Sequence, residues 1–352
     1  MRARIATVAA MLAVALAAPA TWARDELPRR NRPVETIVDG RLDIDTPAGH
    51  GVLPVSVSHD WRVPQPALTR AIIVIHGVNR DAAHYVRYAD EARRRAGVDA
   101  ASTLIVVPQF LAEQDIGPHA LPATVLRWHQ ARWEDGRAAV APAAIGSYEA
   151  LDAILAQLAD RARFPSLRQV VIAGHSGGGQ VVQRYAVVGR GETALRVAGV
   201  ALRYVVANPS SYLYFSAERP DADGAFATVD AARCPAVNRW KYGWDDAPDY
   251  ARAVSPADYE ARYLARQVVY LLGGADTDPR HPALDKSCAG EAQGGWRLAR
   301  GLNYVAYLRG RHADFAQSVW EVPGVGHDAS RMFASECGQA ALFDKGRCST
   351  AR

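Results

Sequence analysis

The sequence predicts an α/β fold with a mostly parallel central sheet and helices on both of its faces. Short, continuous apolar runs, such as residues 71–75 and 103–108, are typical of strands that are buried on both faces. Segments with helical periodicity separate these runs, and this alternation favours a parallel sheet. With 352 residues, 49% of them hydrophobic, the chain is long enough for one large domain with a substantial core.

The predicted strands and helices alternate along the chain. Two opening strands are predicted to form an antiparallel edge, at residues 34–45 and 52–61. The buried strands that follow cover residues 69–77, 103–108, 169–173, 197–207, 267–272 and 317–322. The helices between and after them cover residues 82–96, 147–163, 180 onward, 295–310 and 329 onward. Polar residues follow several of these strands directly, at the sheet edge where ligands bind in such folds.

One stretch interrupts this pattern. Residues 212–261 are rich in aromatic residues, prolines and acids and show no sustained period. An irregular insertion of this length in a compact domain is usually functional or disordered, and the aromatic residues argue against disorder. We predict a lid or substrate wall here, and a packed surface excursion with its own small aromatic core is the alternative.

A glycine-rich turn lies between the strand at 169–173 and the next helix. The stretch Gly174-His175-Ser176-Gly177-Gly178 has the pattern G-x-S-x-G, which carries a serine on a sharp strand-to-helix turn. Glycines are expected beside the serine because a Cβ there would meet the neighbouring strand or helix. The free N–H groups of the helix that follows would point to where an oxyanion forms. An ordinary tight connection or an anion-binding loop could have the same composition.

The order of polar residues along the chain decides between these interpretations. Ser176 is followed by Asp276 in a Gly-x-x-Asp turn after a strand, and then by His327 after the last predicted strand. Nucleophile, acid and histidine follow in this order in the α/β-hydrolase superfamily. From about residue 34 to residue 343 the chain resembles that superfamily, and the loop at His76 resembles its oxyanion loop.

The resemblance implies a Ser-His-Asp mechanism. Ser176 would attack a carbonyl carbon, and His327 would take its proton and return it to the leaving group. Asp276 would hold the imidazole tautomer and stabilise its charged form. The backbone N–H groups of Val78 and Gly177 would bind the oxyanion. Neither a metal nor a cofactor is implied.

The acid has a rival in the sequence. Asp278 lies two residues after Asp276 and could take its role, although Gly-x-x-Asp matches the turn of the family. An alternative interpretation is that the protein is a catalytically inactive binding protein with the same fold. The complete set of Ser176, Asp276 and His327 argues against it.

Charge distribution bears on the partners of the protein. The net charge is +4 at pH 7, and nearly all of the 41 basic residues are arginine. A GC-rich genome is the simplest explanation, and recognition of carboxylates or phosphates by guanidinium groups is the alternative. No stretch resembles a nucleic-acid-binding module, so we expect no nucleic-acid partner.

Several residues are predicted to contact the substrate. Guanidinium groups around the serine would suit an anionic substrate. The arginines that flank the oxyanion, lid, acid and histidine loops are Arg80, Arg239, Arg280 and Arg331. The other predicted substrate-binding residues are His76, His175, Asn208 and Trp240. The remaining histidines, such as His84, His281 and His312, are predicted to lie at the surface.

The predicted function is that of a secreted serine hydrolase that cleaves ester or amide bonds. The overall likeness is to bacterial poly(aspartic acid) hydrolases, a family related to polyhydroxybutyrate depolymerases. This resemblance implies cleavage of a backbone amide in an anionic polymer. A carboxylesterase, a lipase or a polyester depolymerase is the alternative. The oligomeric state stays open, with a homodimer as one option.

The N-terminus has the features of a secretory signal peptide. Arg2 and Arg4 precede the apolar residues 5–18, and small residues up to Ala23 offer cleavage sites. Because this stretch is too short for a stable membrane span, we expect no stable membrane insertion. Residues 24–352 would form the mature hydrolase domain, in the periplasm or outside the cell.

The cysteines fit such a compartment. Four cysteines in an oxidising environment predict two disulfides, with three possible pairings. We favour Cys337 with Cys348, which leaves Cys234 with Cys288. The first bond would pin the C-terminal tail, and the second would join the insertion to the core.

Overall fold

The computed structural model describes residues 28–221 and 223–349. The predicted signal peptide, residues 1–23, lies outside the described residues. The strands are β1 (Arg41–Thr46), β2 (Gly49–Val57), β3 (Arg70–Ile75), β4 (Thr103–Pro108), β5 (Leu111–Ala112), β6 (Arg127–Trp128), β7 (Gln169–His175), β8 (Ala201–Ala207), β9 (Glu218–Pro220), β10 (Phe226–Thr228), β11 (Gln267–Gly273) and β12 (Ser318–Val322).

Helices alternate with these strands. They are α1 (Ala82–Arg95), α2 (Glu113–Ile116), α3 (Ser147–Leu158), α4 (Gly177–Val188), α5 (Glu192–Val197), α6 (Pro256–Leu264), α7 (Cys288–Glu291), α8 (Arg297–Arg311), α9 (Ala329–Ala334) and α10 (Glu336–Phe343). Short 3₁₀ helices form at Arg29–Asn31, Ala100–Ser102, Arg132–Asp135 and Asp249–Ala251. Among the described residues, none of the helices combines the length and the apolar character that crossing a bilayer requires.

A single eight-stranded sheet carries the fold. Its strand order is β1-β2-β4-β3-β7-β8-β11-β12. β1 pairs with β2 and β2 with β4 in antiparallel fashion, and the other neighbours are parallel. The mostly parallel sheet and its antiparallel edge are confirmed. Because the parallel strands point the same way, the loops after β3, β7, β8, β11 and β12 meet at one edge.

The apolar runs of the central strands are buried on both faces, as predicted. Ile73 and Ile75 of β3 pack with α3, α4 and α8 on one side of the sheet. Ile72 and Val74 point to the opposite side, where α1, α9 and α10 cover the sheet. The sequences of strands buried in this way are continuous apolar segments, without alternating apolar and polar residues.

Several predicted boundaries differ from the structure, and side-chain hydrogen bonds explain two of them. The first strand begins only at Arg41, because Val34 N and Val38 N donate to the side chains of Asp115 and Gln109 rather than to a strand. The helix predicted over 147–163 ends at Leu158, because the Asp160 carboxylate accepts from the N–H of Ala162 and closes a turn.

The insertion at 212–261 is more regular than its composition indicates. It contains β9, β10 and the first part of α6. Its aromatic side chains turn inward: Tyr212 stacks on Tyr304 of α8 at 4.7 Å, and Trp244 stacks on Tyr259 at 5.4 Å. These rings therefore pack inside the protein, against α8 and against one another.

Both predicted disulfides are present. Cys234 is bonded to Cys288, which joins the insertion to α7. Cys337 is bonded to Cys348, which ties the C-terminal segment to α10.

Candidate active site

The turn between β7 and α4 holds Ser176 in a conformation that few residues other than glycine adopt. Its φ is 59° and its ψ is −120°, and its N–H donates to Ala207 O of β8 at 3.0 Å. A Cβ on Gly174 would lie 2.3 Å from Gly178 O, and one on Gly178 would lie 2.1 Å from Ile75 O. Glycine is therefore required at both positions for β3, β7 and α4 to approach this closely.

The sheet edge brings Ser176, His327 and Asp276 together. Ser176 Oγ donates to His327 Nε2 at 2.9 Å, and His327 Nδ1 donates to Asp276 Oδ2 at 2.7 Å. Asp276 follows β11 and His327 follows β12, the two strands beyond β8. The three residues form one unbroken hydrogen-bonded chain. In this arrangement Asp276 fixes the imidazole tautomer and leaves Nε2 free to accept the serine proton.

The electrostatic setting favours a neutral imidazole. Burial lowers the pKa of His327, and the nearby Arg297 and His281 lower it further. Burial raises the pKa of Asp276, and Arg297 opposes this shift most strongly. A neutral imidazole is the form that a general base needs.

Asp278 points away from this chain of hydrogen bonds. Its side chain is exposed, and its Oδ1 accepts from Arg280 N at 2.8 Å. The geometry thus joins His327 to Asp276 and not to Asp278.

Two backbone N–H groups lie beside the serine. Gly177 begins α4, where the first N–H groups have no partner within the helix. The point that a Cβ of Gly177 would occupy is 3.0 Å from Val78 N and 2.7 Å from Glu134 Oε1. Val78 and Gly177 are therefore neighbours at the site, as an oxyanion hole would require.

His76 and His175, both predicted to contact the substrate, have buried rings. His76 accepts from Phe110 N at Nε2 and packs edge-on against Trp133, and burial lowers its pKa to about 4. His175 packs at 4.5 Å against the ring of His327, and burial lowers its pKa as well. Both rings therefore brace the loops around Ser176.

Arg80, Asn208 and Trp240, also predicted to contact the substrate, are buried as well. The Arg80 guanidinium is paired with Asp115 through Nε and Nη2, at 2.7 and 3.1 Å, although the residue lines the cleft beside Val78. Asn208 Oδ1 accepts from Gly273 N at 2.7 Å, and its Nδ2 donates to the loop of His327. Trp240 Nε1 donates to the buried carbonyl of Asp135 at 2.7 Å. These side chains position loops because their polar groups are already engaged.

The remaining predicted arginines lie at the surface. Arg239 is exposed and pairs with Asp246 at 3.6 Å. Arg280 is exposed on the loop after Asp276, and Arg331 is exposed and donates to Gly324 O.

A cleft of about 490 Å³ adjoins Val78 and Ser210. Its cationic lining residues are Arg30, Arg80, Lys241 and Lys286, and its acidic ones are Glu134 and Asp285. Lys241 Nζ donates to Gln180 Oε1 at 3.1 Å and lies 3.7 Å from Glu134 Oε2. The cleft therefore presents both signs of charge beside Val78.

Sequence reasoning missed four residues at this site: Arg297, His281, Glu134 and Lys241. The ring of His281 packs edge-on against His327 at 4.9 Å, so its predicted surface position is corrected. No local pattern marks Arg297 or Glu134, because their partners are distant in the sequence. The rarity of lysine could have indicated Lys241 in the sequence. The chain has only three lysines, and two of them, Lys241 and Lys286, line the cleft.

Comparison with known proteins identifies the fold. No protein-family model matches the chain, and no curated protein matches it significantly. The solved structure of poly(aspartic acid) hydrolase-1 from Sphingomonas sp. KT-1 is 23% identical, with a TM-score of 0.59 over 89% of this chain and 99% of that one. LpqC, a poly(3-hydroxybutyrate) depolymerase from Bordetella parapertussis, is 22% identical, with a TM-score of 0.59 over 91% and 96%. The chain thus has the α/β-hydrolase fold that the sequence indicates.

Proposed function

We propose that the protein is a serine hydrolase that cleaves ester or amide bonds through an acyl-enzyme. The observation that carries this proposal is the hydrogen-bonded chain from Ser176 through His327 to Asp276, at 2.9 and 2.7 Å. A serine hydroxyl becomes a useful nucleophile when a base removes its proton and a third group orients that base.

The reaction follows from this geometry. Ser176 Oγ forms a bond to the carbonyl carbon as its proton passes to His327 Nε2. Asp276 stabilises the imidazolium, and the N–H groups of Val78 and Gly177 stabilise the oxyanion. His327 then protonates the leaving amine or alcohol, and a water molecule activated by the same imidazole releases the acid.

For the substrate we propose an anionic polymer such as poly(aspartic acid), cut at a backbone amide. Four basic residues line the cleft beside Val78: Arg30, Arg80, Lys241 and Lys286. Arg80 is already paired with Asp115, which leaves Arg30, Lys241 and Lys286 for a substrate. Carboxylates along a polymer would be attracted to such groups. The fold similarity to poly(aspartic acid) hydrolase-1 supports the same choice.

An ester substrate is the second candidate. Glu134 lies 3.7 Å and Asp285 3.8 Å from the ammonium group of Lys241, so part of its charge is offset. A neutral polyester or a small ester would tolerate this balance of charge, and LpqC shares the fold.

The decisive comparison uses wild type and Ser176→Ala on two substrates. Chain shortening of poly(aspartic acid) and nitrophenolate release from a short p-nitrophenyl ester are followed in parallel. Loss of both activities in Ser176→Ala, with both retained in the control Ser216→Ala, supports the hydrolase. Polymer shortening by wild type supports the amide substrate, and turnover of the ester alone supports an esterase.

A catalytically inactive protein would give a different result. Wild type that reacts with a fluorophosphonate probe, while Ser176→Ala does not, supports an activated serine. A folded wild type without labelling would overturn the proposal.

We also propose that the protein is exported. The two disulfides support this, since such bonds persist in oxidising compartments. N-terminal sequencing of the protein recovered from the periplasm or medium tests it, with a start near residue 24 expected. Recovery of full-length protein from the cytoplasm alone would contradict it.

A further inference from the structure

Arg297 lies on the opposite side of Asp276 from His327. It is the first residue of α8, and its side chain is 0% exposed. Asp276 Oδ2 accepts from His327 Nδ1, and Asp276 Oδ1 accepts from Arg297 Nη1 at 3.5 Å. The carboxylate is thus shared between the imidazole and a guanidinium.

The guanidinium has a fixed orientation. Arg297 Nε donates to Ser210 Oγ at 3.1 Å, and Nη2 donates to His281 Nδ1 at 3.4 Å. Ser210 Oγ in turn donates to Ala283 O at 3.3 Å. Because the guanidinium is planar, its contacts to Ser210 and His281 set the direction in which Nη1 faces Asp276.

The charge on Arg297 acts on both partners. Burial lowers the pKa of Arg297 only to about 10, so the group is cationic at neutral pH. This cation opposes the upward shift that burial imposes on the pKa of Asp276. It also disfavours the imidazolium form of His327, in the same direction as burial.

Other groups around His327 contribute less charge. The rings of His175 and His281 pack against it, and burial lowers the pKa of each. Asp278 is exposed and faces Arg297 and His281 rather than His327. Asp328, the next residue in the chain, turns its carboxylate to Arg331 N. The main charged groups at His327 are therefore Asp276, which favours its imidazolium form, and Arg297, which disfavours it.

We infer that Arg297 is a positioning residue for this site: the buried guanidinium, held by Ser210 and His281, fixes the Asp276 carboxylate in the rotamer that His327 requires. The same positive charge should disfavour the imidazolium form of His327. The inference rests on the proposed function for its catalytic meaning. The contacts that carry it are independent of the substrate.

The test compares Arg297→Met, Arg297→Lys and a matched control, Arg300→Met. Arg300 is also buried in α8, but it donates to the carbonyls of Gly294, Ser210 and Asp285 and not to Asp276. The readouts are the pH dependence of kcat/KM on a p-nitrophenyl ester and the NMR titration of His327 in protein with ¹³C-labelled histidine. The NMR signal requires no turnover.

In Arg297→Met we expect the acidic limb of the kcat/KM profile and the His327 titration to move to higher pH by about one unit. The maximal kcat should fall roughly tenfold as the carboxylate loses its fixed position. Arg297→Lys keeps the charge and should restore most of the titration shift. Arg300→Met should titrate like wild type even if it lowers the melting temperature.

A His327 titration that is the same in Arg297→Met and wild type would overturn the inference, whatever the activity. If Arg297→Met does not fold, Arg297→Gln decides in its place, because it removes the charge and keeps hydrogen-bonding capacity. Wild type that fails to label with fluorophosphonate would overturn the proposed function, while the NMR titration would still decide the role of Arg297.

Discussion

Asp276 and Asp278 are two residues apart, yet they occupy different chemical environments. Asp276 is buried and bound to His327 and Arg297, whereas Asp278 is exposed and caps its own turn. We expect Asp276→Asn to lower kcat by about 10⁴-fold, because an amide no longer selects the right imidazole tautomer. Asp278→Asn is the matched control and should stay within about twofold of wild type, since surface substitutions change little. A larger loss of kcat in Asp278→Asn than in Asp276→Asn, measured in a steady-state assay, would contradict the choice of Asp276 as the acid.

The buried imidazole of His327 predicts how activity depends on pH. Its pKa is lowered, and the neutral form that acts as base is present above that pKa and is lost as pH falls through it. Activity should therefore persist below about pH 6.5, the ordinary pKa of histidine, and decline only at more acidic pH. The profile of kcat/KM against pH checks this. A decline centred above pH 6.5 would contradict a lowered pKa.

At the scale of single residues, the sequence predicted which polar side chains meet at the sheet edge better than it predicted their surroundings. Ser176, Asp276 and His327 follow strands that a local pattern reveals, so their meeting at one edge follows from topology. The environment of Arg80 depends on Asp115, which lies 35 positions away on a short helix with no sequence signal. Exposure of a long side chain is set by such distant partners, and local sequence does not encode them.

Among the elements, the turn at Ser176 tolerates the least change. Gly178→Ala would place a Cβ 2.1 Å from Ile75 O and 2.7 Å from His76 O, so the backbone of β3 or α4 must move. We expect a loss of more than about 3 kcal/mol in the free energy of unfolding, with loss of activity in any folded fraction. Chemical denaturation and nitrophenolate release measure the two effects.

Gly310→Ala is the control for this prediction. Gly310 lies in α8 with open space around its Cα. Because alanine favours helix, this change should raise stability by up to about 1 kcal/mol. Equal tolerance of both substitutions would mean that β3 and α4 are not in tight contact.

Strands and helices were predictable where the pattern of apolar residues within the element itself identifies it. The strand at Thr103–Pro108 has the predicted bounds, because it is buried on both faces and flanked by polar residues. Residues 34–40 have the pattern of a strand, but the side chains of Asp115 and Gln109 accept from the backbone N–H groups of Val34 and Val38. The insertion was harder still, since its aromatic residues pack on α8 and on one another instead of following a regular period.

For the whole molecule, the proposed anionic substrate predicts a response to salt. The kcat/KM on poly(aspartic acid) should fall severalfold between 10 mM and 1 M salt, where the Debye length shrinks from about 30 Å to about 3 Å. The kcat/KM on a neutral p-nitrophenyl ester should change little. Lys286→Ala should flatten the salt dependence because Lys286 lines the cleft, whereas Lys345→Ala, outside the cleft lining, should not. If kcat/KM depended on salt concentration in the same way for both substrates, this would count against electrostatic capture.

Six arginines among the described residues are buried: Arg80, Arg184, Arg219, Arg266, Arg297 and Arg300. Arg219, for example, donates to the carbonyls of Ser216, Glu218, Val237 and Tyr242, and so joins separate parts of the insertion. A lysine has three N–H donors on a single nitrogen, so it could not supply all four of these bonds or span carbonyls as far apart as a planar guanidinium does. A lineage drifting toward AT-rich codons could therefore exchange surface arginines for lysine freely, while these interior positions would keep theirs.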